Sequence, residues 1–335
     1  MWRCLKQIGE TPLARSSHSI ADVGESLVVF GGEHAPREPV TNDTYVYGRL
    51  NGAWTKIDAD IKAPFQRLAH AAVGVSSNTM LLHGGRSHVS ESSALDDLYS
   101  FDLMTGTWSA LKSKGDACPS PRNFHSAVAT GGNSFYIFGG CGNEGRLADL
   151  WRYDVRSGAW EELAHSGMLG RGGAGFAATS ETELYVIGGF TGKEIGQVYR
   201  FDVKQNTWEE LQIEQPNNTK FRFTPRSVFA RASHGSLSVA GSCAQSCSHN
   251  GHIIVFGGEV DPSDMGHAGA GLFDNTCFCL DTKLKSWHVI EDIQHQPCPR
   301  GWAASCQCEE GLIIHGGIDV HNARLDDLYM LDMHA

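Results

Sequence analysis

Short apolar runs, each closed by a pair of glycines, recur along this chain. Leu27-Val28-Val29-Phe30 leads into Gly31-Gly32. Comparable runs end at Gly84-Gly85, Gly139-Gly140, Gly188-Gly189, Gly257-Gly258 and Gly316-Gly317. They are β-branched and aromatic, as in Tyr136-Ile137-Phe138 and Ile253-Ile254-Val255-Phe256. That composition over so short a length predicts buried strands rather than helices. The paired glycines allow backbone angles that other residues resist, so a strand end can bend there.

After each pair, polar and apolar positions alternate with period two, the mark of a half-buried strand. The copies read Asp97-Leu98-Tyr99-Ser100-Phe101-Asp102, Asp149-Leu150-Trp151-Arg152-Tyr153-Asp154, Val198-Tyr199-Arg200-Phe201-Asp202 and Asp327-Leu328-Tyr329-Met330-Leu331-Asp332, with weaker versions at 43–47 and 276–281. A turn and a tryptophan follow in five of them: Trp54, Trp108, Trp160, Trp208 and Trp287. Upstream of the glycines, Arg15, Arg67 and Arg122 each precede a histidine by three residues, at His18, His70 and His125. These Arg and His residues read first as internal hydrogen-bonding groups, and the aromatics of the alternating strands as core.

The glycine pairs stand roughly 50 to 70 residues apart, and a four-stranded unit of about 50 residues has the size of a kelch blade. Six such units predict an all-β, six-bladed kelch β-propeller over residues 1–335. The sixth unit ends at Asp332 with no tryptophan, while Trp2 precedes every glycine pair. The N-terminal segment is therefore expected to supply the outer strand of the C-terminal blade, closing the ring and removing its open edges. Trp151 fits the third-strand aromatic position; Trp302 fits no structural slot. The longest interval carries a Gly/Ser/Cys-containing loop insertion at about 230–250.

Composition fits this picture. Glycine is 39 of 335 residues, and 27 Lys and Arg against 38 Asp and Glu leave a net charge of −11. The acidic balance argues against nucleic acid and anionic membranes as partners. No run reaches the ~20 apolar residues of a membrane helix, and the first residues lack a signal-peptide core, so a cytoplasmic or nuclear location is expected. Reduced thiols follow from that location. Cys277-x-Cys279 and Cys306-x-Cys308 lack zinc spacing and read as buried thiols, as does Cys243-x3-Cys247 by its spacing.

Antiparallel strands place the end of each second strand and the start of each first strand on one face of the disc. Residues after the glycines should line that face: Glu33, Arg86, Cys141, Phe190, Glu259 and Ile318. Phe124 and Trp302, which follow the first-strand Arg122 and Arg300, join them. Such a mixture of charges and aromatics suits a small polar or anionic ligand. Glu259-Val260-Asp261-Pro262-Ser263-Asp264-Met265-Gly266-His267 gathers three carboxylates and an imidazole on one loop. A carboxylate–histidine set of this kind suits Fe(II), and a solvated acidic turn is the plainer alternative.

The motifs Phe30-Gly-Gly-Glu33, His83-Gly-Gly-Arg86, Phe138-Gly-Gly-Cys-Gly142, Arg146-Leu147-x-Asp149-Leu150-Trp151, Gly170-Arg171-Gly172-Gly173, Gly257-Gly258-Glu259 and Arg300-Gly301-Trp302 resemble the plant kelch specifier proteins. These are the nitrile-specifier, epithiospecifier and thiocyanate-forming proteins and their uncharacterised kelch relatives. The resemblance implies an Fe(II)-dependent, lyase-type activity that directs breakdown of glucosinolate aglucones. It implies pocket roles for Arg86, Phe124, Arg146 and Trp302, the arginines holding the sulfate and the aromatics packing the variable side chain; Glu33 is a further binding candidate from its place after the first glycine pair. Iron would sit on Glu259, Asp264 and His267. The family's intervals of four and four are altered, because Ser263 holds the middle position and the aspartate stands at 264, with Asp261 as a second possibility. The competing expectation is a protein-interaction platform on the same face, anchored by Trp302, Phe124 and Arg86. Monomer and homodimer are both compatible with either reading.

Overall fold

The computed structural model describes residues 1–87, 94–131, 133–193, 195–213, 252–261, 269, 271–290 and 295–333. The insertion expected at about 230–250, Cys243 and Cys247 lie outside the described residues. Every regular element described is a strand.

Six sheets stand around an axis. Blade 1 comprises Ser19–Val23, Ser26–Phe30, Thr44–Gly48 and Ala53–Ile57; blade 2 comprises Ala71–Gly74, Thr79–Arg86, Ala94–Asp102 and Thr107–Leu111. Blade 3 runs from Ser126–Thr130 to Ala159–Glu162, and blade 4 from Gly175–Ser180 to Thr207–Leu211. Blade 5 is described by His252–Asp261, Leu272–Asp281 and Ser286–Ile290. Blade 6 holds Ala304–Cys308, Gly311–Asp319 and Arg324–Asp332, with Trp2–Cys4 added antiparallel on its outer edge. First strands of neighbouring blades touch from blade 6 through blades 1, 2 and 3 to blade 4, so they line the axis.

The ring closes as the tryptophan count requires. Trp2 pairs with Leu331, just as Trp54 pairs with Tyr47, Trp108 with Phe101, Trp160 with Tyr153, Trp208 with Phe201 and Trp287 with Leu280. Each of several tryptophans also packs on the glycine-pair strand of the preceding blade. Trp108 lies 5.0 Å from Phe30, Trp208 lies 5.8 Å from Phe138, and Trp2 lies 5.0 Å from Phe256. Trp2 therefore performs for blade 6 what the other tryptophans do for theirs.

The recurrent arginines are the internal fasteners. In the five blades whose first-strand arginine is described, the guanidinium Nη1 donates to the carbonyl of the first glycine of the pair: Arg15 to Gly31, Arg67 to Gly84, Arg122 to Gly139, Arg171 to Gly188 and Arg300 to Gly316, at 2.9–3.1 Å. The aspartate that opens the alternating strand is the counterion. Arg67, Arg122 and Arg300 grip Asp97, Asp149 and Asp327 through two bonds each. Both glycines of a pair are obligatory. At φ 62° and 99°, Gly84 and Gly85 form a bulge, and a Cβ on them would meet the Arg122 and Leu68 carbonyls at 2.8 Å.

The recurrent histidines tie neighbouring blades together. His18 meets His315 at 2.8 Å, His125 meets His83 at 3.1 Å, and His70 meets the Ser19 hydroxyl at 2.8 Å. Burial, reinforced by nearby arginines, pushes His70, His83 and His315 down to about 3, so these rings are neutral. Cys277, Cys306 and Cys308 are buried free thiols, as expected, whereas Cys279, on the same strand as Cys277, is only partly buried. No helix among the described residues is long and apolar enough to cross a membrane.

On the opposite face, at the seam between blades 1 and 6, Arg49 contacts Glu310 at 2.5 Å and lies 3.5 Å from Asp22. Burial raises the Asp22 carboxyl to about 7 despite Arg49. The folded form therefore holds this proton to higher pH than the unfolded chain, and stability is lost as pH rises through about 7. Asp22→Asn should flatten that slope and add about 2–4 kcal/mol at pH 8.5 relative to wild type. Urea unfolding at pH 5, 7 and 8.5 measures this; a wild-type slope unchanged in the variant would assign the pH dependence elsewhere.

Candidate functional site

The glycine-pair face has a rim organised by one backbone rule. The residue after each glycine pair bridges the residue after the first-strand arginine: Ser16 with Glu33, Leu68 with Arg86, Asn123 with Cys141, Gly172 with Phe190, and Gly301 with Ile318. One residue further on, the chain turns into the axis with positive φ, at Ser17, Ala69, Phe124, Gly173 and Trp302 (φ 52–60°). Their amides form a chain of hydrogen bonds around the axis from blade 6 to blade 4. Ser17 N donates to Trp302 O, Ala69 N to Ser17 O, Phe124 N to Ala69 O and Gly173 N to Phe124 O, at 2.8–2.9 Å. These bonds make up for the left-handed backbone at four non-glycine residues.

Trp302, surplus by sequence, has a slot after all: it is the blade 6 member of this ring. It is 3% exposed and packs with Phe273 and Ile318. Phe273 lies so close over Gly301 that a Cβ there would sit 2.4 Å from its ring, which explains the glycine of Arg300-Gly301-Trp302. Phe124 belongs to blade 3 and Trp302 to blade 6, so the two aromatics face each other from opposite sides of the axis. Both line a central cavity of about 120 Å³ together with Ser17, His18, His70, His125 and Gly173.

A second rule decides which rim charges stay open. The residue that pairs across the hairpin with the post-glycine position lies over the same position of the next blade. Arg146, opposite Cys141, stacks on Phe190 with its guanidinium 4.6 Å from the ring. Phe273, opposite Glu259, covers Ile318. Arg324, opposite Ile318, reaches Glu33 at 4.0 Å. Blades 1 and 2 carry only Pro39 and Ala94 there, too short to cover the next blade's Arg86 and Cys141.

Arg86 is half-buried and Arg146 exposed, and neither guanidinium makes a hydrogen bond or ion pair among the described residues. Arg86, Phe124 and Arg146 thus share one sector of the mouth, on blades 2 and 3, where positive charge is uncompensated. Cys141 sits there too, under Gly172, its thiol pushed up by burial. Glu33 lies on blade 1, beside blade 2, and is 4% exposed. It accepts from Ser17 Oγ, Ser16 Oγ and the Arg37 amide. Burial raises its carboxyl, against the opposing pull of these donors and Arg324.

Glu259 is buried at the same rim position of blade 5. Asp264 and His267 lie outside the described residues. Among the described residues no group of three His, Cys, Asp or Glu could hold a metal. Sequence reasoning missed Ser17, Ala69, Gly173 and Arg324. The signals were present, since each ring member stands two residues after a first-strand arginine, and Arg324-Leu325-Asp326-Asp327-Leu328-Tyr329 repeats the Arg146 motif.

The fold and this mouth define a six-bladed kelch propeller with a lined axial cavity. The chain belongs to the KLHDC2/KLHL20/DRC7 kelch-repeats domain family, whose model matches residues 17–240. It is similar to N-(sulfonatooxy)prop-2-enimidothioate sulfolyase of Thlaspi arvense, at 29% identity over 98% of this chain and 95% of that protein. It is also similar to Acyl-CoA-binding domain-containing protein 5 of Arabidopsis thaliana, 36% identical over 48% of this chain but only 24% of that protein. The solved structure of YjhT shares the fold, with a TM-score of 0.71 over 96% of this chain and 95% of that one, at 16% identity.

Proposed function

We propose that the mouth binds a small sulfated, sulfur-containing molecule of the glucosinolate-aglucone type and directs its breakdown, as a specifier-like, lyase-type protein assisted by Fe(II). The observation that carries this reading is that two guanidinium groups with no ion pair among the described residues, Arg86 and Arg146, stand on the rim of the mouth whose cavity Phe124 and Trp302 line. Two such donors match the oxygens of a sulfate ester. The full-length similarity to a sulfolyase, whose name describes an N-sulfonatooxy imidothioate, supports the same chemistry.

In this reading Arg86 and Arg146 orient the anionic end and stabilise charge as the sulfate leaves. Phe124 and Trp302 pack the variable side chain and exclude water. Glu259, Asp264 and His267 would hold Fe(II), which would polarise the substrate sulfur; Glu259, buried on the rim of blade 5, is the supporting observation. The near-complete burial of Trp302 favours a small-molecule cavity over a protein-interaction platform, because little of its side chain remains to anchor a partner.

Phenyl sulfate titrated into the protein by calorimetry tests the anionic subsite. Arg86→Ala should weaken binding about 10–100-fold, the loss of one or two charge-assisted bonds. Anaerobic Fe(II) should raise the melting temperature of wild type but not of Glu259→Ala or His267→Ala. Phenyl sulfate binding indifferent to Arg86 and Arg146 would exclude this reading, and an iron response retained in both metal variants would exclude the proposed iron ligands.

A further inference from the structure

Arg324 is the blade 6 counterpart of Arg146, but the two differ in surroundings. The Arg324 side chain is only 7% exposed. Its Nη1 donates to Asn322 O and Oδ1 at 3.2 Å, while Nε and Nη2 are buried without a hydrogen-bond partner. The one anion near them is Glu33, 4.0 Å from Nη2. Both oxygens of Glu33 are engaged as acceptors. Oε1 takes the Ser17 hydroxyl at 3.2 Å and the Ser16 hydroxyl at 3.4 Å, and Oε2 takes the Arg37 amide at 2.7 Å. Three hydrogen-bond donors, with the Arg324 guanidinium 4.0 Å away, converge on one carboxyl group, which serves them as acceptor.

Ser17 is where this chain reaches the cavity. Its backbone is fixed by the ring, with its amide on Trp302 O and its carbonyl on Ala69 N. Ser17 belongs to the cavity lining. A serine hydroxyl has one proton to give, and Ser17 gives it to Glu33. Toward the cavity it therefore presents lone pairs only.

We infer that Arg324, Glu33 and Ser17 form a donor-selective subsite: Arg324 holds Glu33, Glu33 orients the Ser17 hydroxyl, and Ser17 accepts a hydrogen bond from an O–H or N–H group of a small molecule lying between Phe124 and Trp302. Arg324 and Glu33 are positioning residues and Ser17 is the contact. The subsite lies at the junction of blades 6 and 1, with Ser17 one blade from Arg86 and two from Arg146. A ligand filling both would carry an anionic group at one end and a protic group at the other. The inference rests on the reading of the cavity as a ligand pocket, and is independent of the anionic subsite and of iron.

Two probe pairs separate these ideas. Phenol against anisole reads the subsite alone; 4-hydroxybenzenesulfonate against 4-methoxybenzenesulfonate reads it together with Arg86 and Arg146. Binding is followed by tryptophan fluorescence. Wild type should prefer the hydroxyl member of each pair about 3–10-fold, the worth of one net hydrogen bond. Ser17→Ala should abolish the preference and still fold, since Ala69 holds the equivalent position at φ 54°. Arg324→Met should lose most of the preference and Arg324→Lys recover it, a result that mere structural damage would not give. Equal binding of phenol and anisole by wild type, no binding of either, or a preference surviving in Ser17→Ala would each overturn the inference. Preference for phenol with no binding of the sulfonates would support it and overturn the anionic subsite alone.

Discussion

Replacing Arg122 by alanine should destabilise the propeller by about 3–5 kcal/mol, because it strands a carboxylate against the core. The Arg122 side chain is wholly buried, and four of its bonds reach Asp149, the Gly139 carbonyl and the Ser120 carbonyl, while a fifth meets the Ser120 hydroxyl. Asp149 is 17% exposed and held below the usual carboxylate range, burial being outweighed by Arg122 and by the Trp151 indole N–H. Removal of the guanidinium leaves that charge largely desolvated and two carbonyls without donors. Arg171 provides the internal comparison. It makes the same carbonyl bonds, to Leu169 and Gly188, and stacks on Tyr199, but among the described residues no carboxylate grips it. Arg171→Ala should therefore cost less, about 1–3 kcal/mol. Equilibrium urea unfolding of the two variants decides the matter. Equal losses would mean that the backbone bonds, not the ion pair, carry the energy.

Trp2→Ala should cost about 3–5 kcal/mol, as expected for emptying a buried aromatic site. Trp2 is 1% exposed and sits in the cluster that joins blades 5 and 6, against Phe256, Leu312 and Leu331. Loss of the whole Trp2–Cys4 strand should do more, since it uncovers the full edge of Arg324–Asp332. Unpaired edges recruit other chains. A variant lacking residues 1–5 should both melt earlier and self-associate, read by calorimetry and by sedimentation. A monomeric variant with an unchanged melting temperature would show that the ring does not depend on this closure.

Much of the architecture is local information. Period-two alternation, glycine pairs and a tryptophan at the end of each unit are short-range patterns, so six blades and their order could be read directly. Even the ring closure was legible, because Trp2 was the one tryptophan without a preceding unit and blade 6 the one unit without a tryptophan. The internal role of the arginines and histidines followed from their repetition. The candidate site was legible only in part. Arg86, Phe124, Arg146 and Glu33 stand on the expected face, but Trp302 was read as surplus because its slot is a ring of positive-φ residues, Ser17, Ala69, Phe124, Gly173 and Trp302. No residue type marks that ring, since it accepts serine, alanine, glycine and two aromatics.

The sequence by itself determined which segments pair within a blade, because pairing there depends on neighbouring strands and tight turns. Tertiary structure alone decided which residues of different blades meet. Arg324 lies over Glu33, and His18 against His315, although nearly the whole chain separates each pair. Periodicity repeats a unit without specifying what each copy presents to the next. Closing the ring sets those contacts, and with them which cation at the mouth is neutralised and which remains open.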